Sequence, residues 1–233
     1  MSPLSVIIPT RRLDAALCTR IDRIRGLLPG VQVVVVEPDD LDDAAVGATS
    51  TPARVALIRA RRGRGTQCNA GVDAATGGLL MFLHDDTELP AGAGAAIANG
   101  FDDPRVVMTC FRLRFDQHHW LLALYSWFSR FETFWTTFGD QAMVVRREAF
   151  DTVGGMPDWP LFEDVELARR LRRHGRVVKL GLAVTTSAGR YRANGVLSQQ
   201  LGNALRMLRF LLGAPPERLA VGYEAQSGSG GER

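Results

Sequence analysis

Three apolar runs early in the chain each end in a polar cluster, and this pattern constrains the fold more than any other feature. Residues 4–9 form a β-branched run closed by Pro9 and followed by Thr10-Arg11. Residues 31–36 are nearly all valine and lead into Glu37-Pro38-Asp39-Asp40, and residues 79–83 lead into His84-Asp85-Asp86-Thr87. Short continuous runs bounded by turn residues read as strands buried on both faces. Leu13, Leu17, Ile21, Ile24 and Leu28 recur at helical spacing, and Pro29-Gly30 stops that helix. A further strand is expected over residues 54–58, then an arginine- and glycine-rich loop and a helix over residues 67–75. Strands alternating with helices imply a mostly parallel sheet with right-handed crossovers, whose ligands bind beyond the carboxyl ends of the strands. The three polar clusters stand at such ends and are expected to form one site.

The second half is less regular. Residues 101–115 hold one or two strands, and residues 119–138 are rich in tryptophan and phenylalanine. A helix is expected over residues 163–174, acidic at its start and arginine-rich at its end as the helix dipole favours, and another over residues 196–213. At 233 residues the chain suits one domain, expected over residues 1–223 with a disordered tail over residues 224–233. No internal repeat is present.

Hydrophobic content of 46% and charged content of 23% belong to a folded chain, not a disordered one. The net charge of +3 rests almost wholly on arginine, Lys179 being the only lysine. Compositional bias accounts for this, and so does anion binding by guanidinium forks. No dense basic tract interleaves with aromatics, so nucleic acid is not the expected partner. Cys18, Cys68 and Cys110 are sparse, odd in number and without metal-type spacing, which fits a reducing cytoplasm. The N-terminal apolar run has no basic region before it and reads as a strand rather than a leader; no run of about 18 apolar residues suggests a spanning helix.

Three segments can carry chemistry. In FLHDDTELP, residues 82–90, acids directly after a buried strand can hold a hard cation that bridges to phosphates, or can simply cap the following turn. In FEDVELARRL, residues 162–171, Glu163 and Asp164 start a helix, where a carboxylate caps well or serves as a general base. In RGRGTQCNAG, residues 62–71, the glycines let backbone and guanidinium groups approach an anion at a helix N-terminus, though a solvated basic turn looks the same. His118-His119 reads as a solvent-facing pair rather than as metal ligands. The aromatic stretch from Trp120 to Phe138 reads as core or acceptor-pocket packing before membrane contact, since Arg130 is its only cation. Arg190 and Arg192 read equally as diphosphate contacts or a surface turn. The helix bearing Arg206 and Arg209 docks on the domain by default, with homodimer pairing and peripheral lipid contact as alternatives.

In this order and spacing the segments resemble family 2 glycosyltransferases of the GT-A fold. The match is closest to a short bacterial subgroup, the "transferase 2, rSAM/selenodomain-associated" type. It rests on SVIIPT (5–10), RGRGTQCNAGVDAATGGLLMFLHDDTELP (62–90), FRLRFD (111–116), GDQAMVVRREAFDTVGGMPDWPLFEDVELARRLRRHG (139–175) and TTSAGRYRANGV (185–196), and extends to about Tyr223. The resemblance implies a single Rossmann-like α/β domain with a central, mostly parallel mixed sheet flanked by helices. It implies that Pro9, Thr10 and Glu37 line the base and ribose pocket, and that Arg62, Arg64 and Asn69 lie near the nucleotide or its diphosphate. Asp86 matches the last acid of the family's DxD-type motif, the ligand of Mg²⁺ or Mn²⁺, with Asp85 beside it and His84 at the motif's first position. Asp164, paired with Glu163, matches the catalytic base, and Gly139-Asp140-Gln141 would shape the acceptor side. The reaction implied is inverting transfer of a sugar from a nucleotide diphosphate sugar to an unidentified hydroxyl acceptor.

The chain departs from the pattern at three places. Glu37-Pro38-Asp39-Asp40 stands where the family has aspartate then glycines, His84 stands for the first aspartate of broader members, and Thr10-Arg11-Arg12 lacks the usual asparagine-glutamate pair. A non-catalytic nucleotide-sugar-binding module is the alternative from another class. A nucleotidyltransferase ranks below it, because no long glycine-rich loop follows the first strand.

Overall fold

The computed structural model describes residues 3–41, 55–133, 139–189 and 196–220. Its elements run β1 (Leu4–Pro9), α1 (Ala15–Leu27), β2 (Gln32–Pro38), β3 (Val55–Ala60), α2 (Arg64–Ala74), β4 (Leu79–Phe82), β5 (Thr87–Glu88) and α3 (Ala93–Gly100). They continue with β6 (Val106–Phe115), α4 (Trp120–Phe128), a 3-10 turn (Gly139–Gln141), β7 (Met143–Arg146), α5 (Arg147–Thr152), α6 (Glu163–Leu171), β8 (Arg176–Thr186), α7 (Val196–Leu211) and α8 (Pro216–Ala220).

The described strands form one mixed sheet in the order β3-β2-β1-β4-β7-β6-β8-β5. β3, β2, β1 and β4 are parallel neighbours, as the alternation of strands and helices requires. β7 enters antiparallel between β4 and β6, and β8 runs parallel to β6. Strand side chains alternate between faces, so Val33 and Val35 join one core with Leu17, Ile21 and Ile24 of α1. Val34 and Val36 join the opposite core with Val72 of α2 and Leu167 of α6. Burial on both faces is why these strands read as unbroken apolar runs.

The elements differ from the sequence reading in three respects. α2 begins at Arg64, inside the segment expected as a loop. Its first turn packs so tightly that a Cβ on Gly65 would lie 2.1 Å from the Pro157 carbonyl oxygen. α3, β7 and β8 have no counterpart in the sequence reading, whereas residues 101–115, expected to hold one or two strands, hold one. Of the core or acceptor-pocket packing expected for the aromatics of α4, the core half does not hold for Trp120, Trp127 and Phe128, which face outward. The expected tail, and Arg190 and Arg192, lie outside the described residues.

Candidate active site

The parallel strands deliver their carboxyl ends to one edge, and the ends of β1 and β4 meet the start of α6 there. Thr10, just past β1, donates its hydroxyl to Asp85 Oδ2 at 2.7 Å and so ties the first cluster to the third. Arg20 of α1 donates to the Asp85 carbonyl. Gln67 of α2 is buried and its Nε2 donates to the Thr10 and Val36 carbonyls, at 3.0 and 2.8 Å, clamping β1 to β2 at their ends. Glu37 is buried, and its Oε1 accepts the Leu13 N–H at 2.6 Å, bracing the loop after β1. Its carboxylate therefore serves the backbone of that loop, while Arg62 forms a bidentate pair with Asp40 at the exposed rim.

The acid pair of α6 sits against a small cleft lined by Pro9, Arg64, His84, Gly139, Glu163 and Asp164. Asp164 Oδ2 accepts the Gly139 N–H, and Oδ1 accepts the Val165 N–H at 2.8 Å. Both contacts hold the carboxylate in one orientation. Gly139 has no room for a side chain, since a Cβ there would lie 2.9 Å from Asp164 Oδ2. Glu163 is 1% exposed, and its Oε1 has no hydrogen-bond partner, with Arg64 Nε 3.6 Å away. Burial, and then the Asp164 charge, push the Glu163 acid up to about 7 against the pull of Arg64. Asp140 shows the same pattern: burial first and Asp164 second push it up to about 7, while Lys179 and Arg64 pull it back and Asp86 adds to the rise. Its Oδ1 is buried without a partner. A buried carboxyl at a cleft with a displaced proton affinity makes Glu163 and its neighbours the candidate functional site.

Backbone strain points to the same place. Among the described residues only Ala142 (φ 48°) and Phe162 (φ 65°) are non-glycines in the left-handed region. One follows the Gly139–Gln141 turn and the other precedes Glu163, and strain of this kind persists where the surrounding structure over-determines a site.

Asp86 is exposed at the start of β5, and its Oδ1 accepts the Thr186 and Thr87 hydroxyls at 3.2 and 3.3 Å. The β5–β8 pairing of Thr87 with Thr186 fixes that position. Pro9, Arg64, His84, Gly139, Glu163 and Asp164 thus line one cleft, Thr10 is tied to Asp85, next to His84 in sequence, and the charges of Asp164 and Asp86 both act on Asp140. Asn69 turns elsewhere: it exchanges hydrogen bonds with the Met156 backbone at 2.8 and 3.0 Å. Among the described residues no group of three His, Cys, Asp or Glu side chains is arranged as a metal cage. His119 Nδ1 accepts the Leu121 N–H at 3.2 Å and caps α4. Cys68 lines the cleft, but burial raises its thiol, which argues against a nucleophilic role.

Sequence reasoning missed Lys179 and Thr186. Lys179 Nζ donates to Gln141 Oε1 and is the cation closest in influence to Asp140. Being the chain's only lysine marked it as unusual, but its partner lies 38 positions away.

Residues 5–154 match glycosyl transferase family 2. An uncharacterized protein of Mycobacterium tuberculosis is 38% identical over 80 residues, a stretch that makes up 33% of this chain and 25% of that protein. Among solved structures, the mannosyltransferase PcManGT from Pyrobaculum calidifontis in complex with GDP-Man and Mn²⁺ superposes with a TM-score of 0.60 at 19% identity. That alignment covers 88% of this chain and 64% of the other. S. aureus TarS 1-349 in complex with UDP-GlcNAc gives 0.61 at 14% identity, over 79% of this chain and 58% of the other. The chain spans a quarter of the curated relative and under two thirds of these solved chains. At such identities the structural likeness shows the fold, which is GT-A.

Proposed function

The chain belongs to glycosyl transferase family 2, and on that premise we propose that it moves a sugar from a nucleoside diphosphate sugar to a hydroxyl acceptor, with inversion. The acceptor oxygen forms a bond to the anomeric carbon as the bond from that carbon to the diphosphate oxygen breaks, and the hydroxyl proton passes to Asp164. The observation that carries this reading is the Asp164 carboxylate, held by the Gly139 and Val165 N–H groups at the cleft wall. A positioned carboxylate supplies the proton acceptor that a hydroxyl nucleophile needs.

Charge develops on the departing diphosphate, and Arg64 on the cleft wall is the cation suited to it. On this reading Pro9 and Thr10 line the base and ribose pocket, Glu37 braces the Leu13 loop beside it, Arg62 stands at the rim, and Asn69 contributes by holding the Met156 backbone. Gly139, Asp140 and Gln141 shape the acceptor side on this reading, Gln141 from a buried position held by Lys179. The donor set fits a divalent cation bridged by substrate better than one caged by protein. Mg²⁺ is commonly held by one or two carboxylates plus phosphate oxygens, and Asp86 offers an exposed carboxylate beside His84. Bound there, Mg²⁺ or Mn²⁺ would neutralise charge on the leaving group. The reading places the reaction in the cytoplasm, where nucleotide sugars are available.

Nucleoside diphosphate release with a panel of sugar nucleotides and acceptors tests it. Asp164→Ala is expected to lose roughly 100- to 10,000-fold in turnover with the donor still bound. Near-normal turnover would remove Asp164 from its role.

A further inference from the structure

We propose that α4 and α7 together form a surface that rests on an anionic lipid bilayer. α7 is built the wrong way round for a helix that only docks on its own domain. Its one fully buried side chain is Gln199, while Leu197, Leu201, Leu205, Leu208 and the following Leu212 face outward, with Leu201 73% and Leu212 79% exposed. These positions recur at three- and four-residue steps and form one stripe along the helix. α4 repeats the arrangement. Leu122 and the following Ser129 are buried, whereas Trp120, Leu124, Trp127, Phe128 and Phe131 are exposed, Trp120 by 67%. The two helices contact each other, which brings both stripes to the same part of the molecule. Exposed apolar stripes on two adjoining helices of a folded chain mark an interaction site.

Composition and charge choose the occupant. Neither helix contains an acidic residue, and their cations are Arg206 and Arg209 on α7, with Arg130 just after α4. Arg209 is exposed beside the leucine stripe, and the Arg130 guanidinium sits 5.1 Å over the Trp127 ring. The nearest carboxylate in sequence, Glu132, is taken by Arg172 at 2.6 Å. On α8, exposed Glu217 stands next to exposed Arg218. Leucine and aromatic side chains outward with arginines at the rim are the pattern of a helix lying in the plane of a membrane interface. A second copy is the poorer occupant, because symmetric pairing would set arginine-bearing faces against each other with no carboxylate between them. No helix among the described residues is long and apolar enough to cross a membrane, so the contact is a surface one. The surface has a firm support: Phe210 of α7 stacks on Phe162 at 4.7 Å, immediately before the Glu163-Asp164 pair.

The test is co-sedimentation of the full chain with phosphatidylcholine vesicles, with and without phosphatidylglycerol. It reads no enzymatic activity, so it stands apart from the proposed reaction. The chain is expected to bind the phosphatidylglycerol vesicles and to be released by salt. The double substitution Leu201→Gln with Leu208→Gln changes only exposed positions and is expected to lower binding by roughly tenfold or more at an unchanged melting temperature. Trp120→Gln on the other helix is the independent second variant, with a several-fold loss expected. Absence of binding to anionic vesicles, or binding that both variants leave intact, would overturn the proposal. A concentration-dependent dimer that the double substitution dissolves would assign the face to a second copy instead.

Discussion

Replacing Glu163 with glutamine should let the protein gain stability on wild type as pH rises, on top of a cost that does not change with pH. The structure sets the magnitude. Glu163 is 1% exposed, Oε1 lacks a hydrogen-bond partner, and its acid is raised from 4.5 to about 7. Below 4.5 the group is protonated in folded and unfolded chains alike. Between 4.5 and about 7 the unfolded chain releases its proton while the folded chain holds it, so stability falls as pH rises. Above about 7 the whole penalty is present. A tenfold change in proton affinity corresponds to about 1.4 kcal/mol, so the ionised side chain costs the fold about 3 kcal/mol. Glutamine removes that charge at nearly the same volume. Its buried amide brings unmade hydrogen bonds worth about 1–3 kcal/mol, but that cost is the same at every pH. The pH-dependent part is therefore the prediction. Unfolding curves of both proteins should show the variant gaining about 3 kcal/mol on wild type between roughly pH 4 and pH 8, or roughly 6–12 °C in midpoint for a chain of this size. A variant-minus-wild-type difference that stays flat across that range would refute the account of Glu163 as a charge held against its preference.

Three further outcomes follow from the same geometry. Gly139→Ala places a Cβ 2.9 Å from Asp164 Oδ2, so kcat should fall roughly 10- to 100-fold with donor affinity unchanged, as steady-state kinetics and equilibrium binding together will report. Asp86→Asn keeps the contacts to Thr87 and Thr186 but loses the carboxylate charge; the concentration of Mn²⁺ or Mg²⁺ needed for half-maximal turnover should rise at least about tenfold, the scale on which ligand changes act. Gln67→Leu strips the Thr10 and Val36 carbonyls of their shared donor and should cost about 2–4 kcal/mol in denaturant unfolding.

The first half of the fold was legible because its signals are local. Pro9, Pro29-Gly30 and the acids after Leu83 punctuate runs whose burial on both faces leaves no polar interruptions. β7 escaped because Met143–Arg146 is too short to show a period, and β8 because Lys179 and Gly181 break its apolar pattern. Those strands are set by pairing with β4 and β6, partners far along the chain. The candidate site divides in the same way. Acids at strand and helix ends could be read from their positions. That Glu163 is buried without a hydrogen-bond partner for Oε1, that Glu37 serves Leu13, and that Asn69 serves Met156 depend on contacts made only by the folded chain.

The most direct measurement is a thermal-shift screen of nucleoside diphosphates and their sugars, with and without Mn²⁺ or Mg²⁺, on wild type and Asp86→Asn. A ligand at 100 times its Kd stabilises the folded state by about 2.7 kcal/mol, or roughly 5–11 °C here. A metal-dependent shift for one nucleotide series, absent in Asp86→Asn, is the predicted result and would identify the donor base. No shift with any of these ligands at saturating concentration would contradict a nucleotide-sugar site at the strand ends.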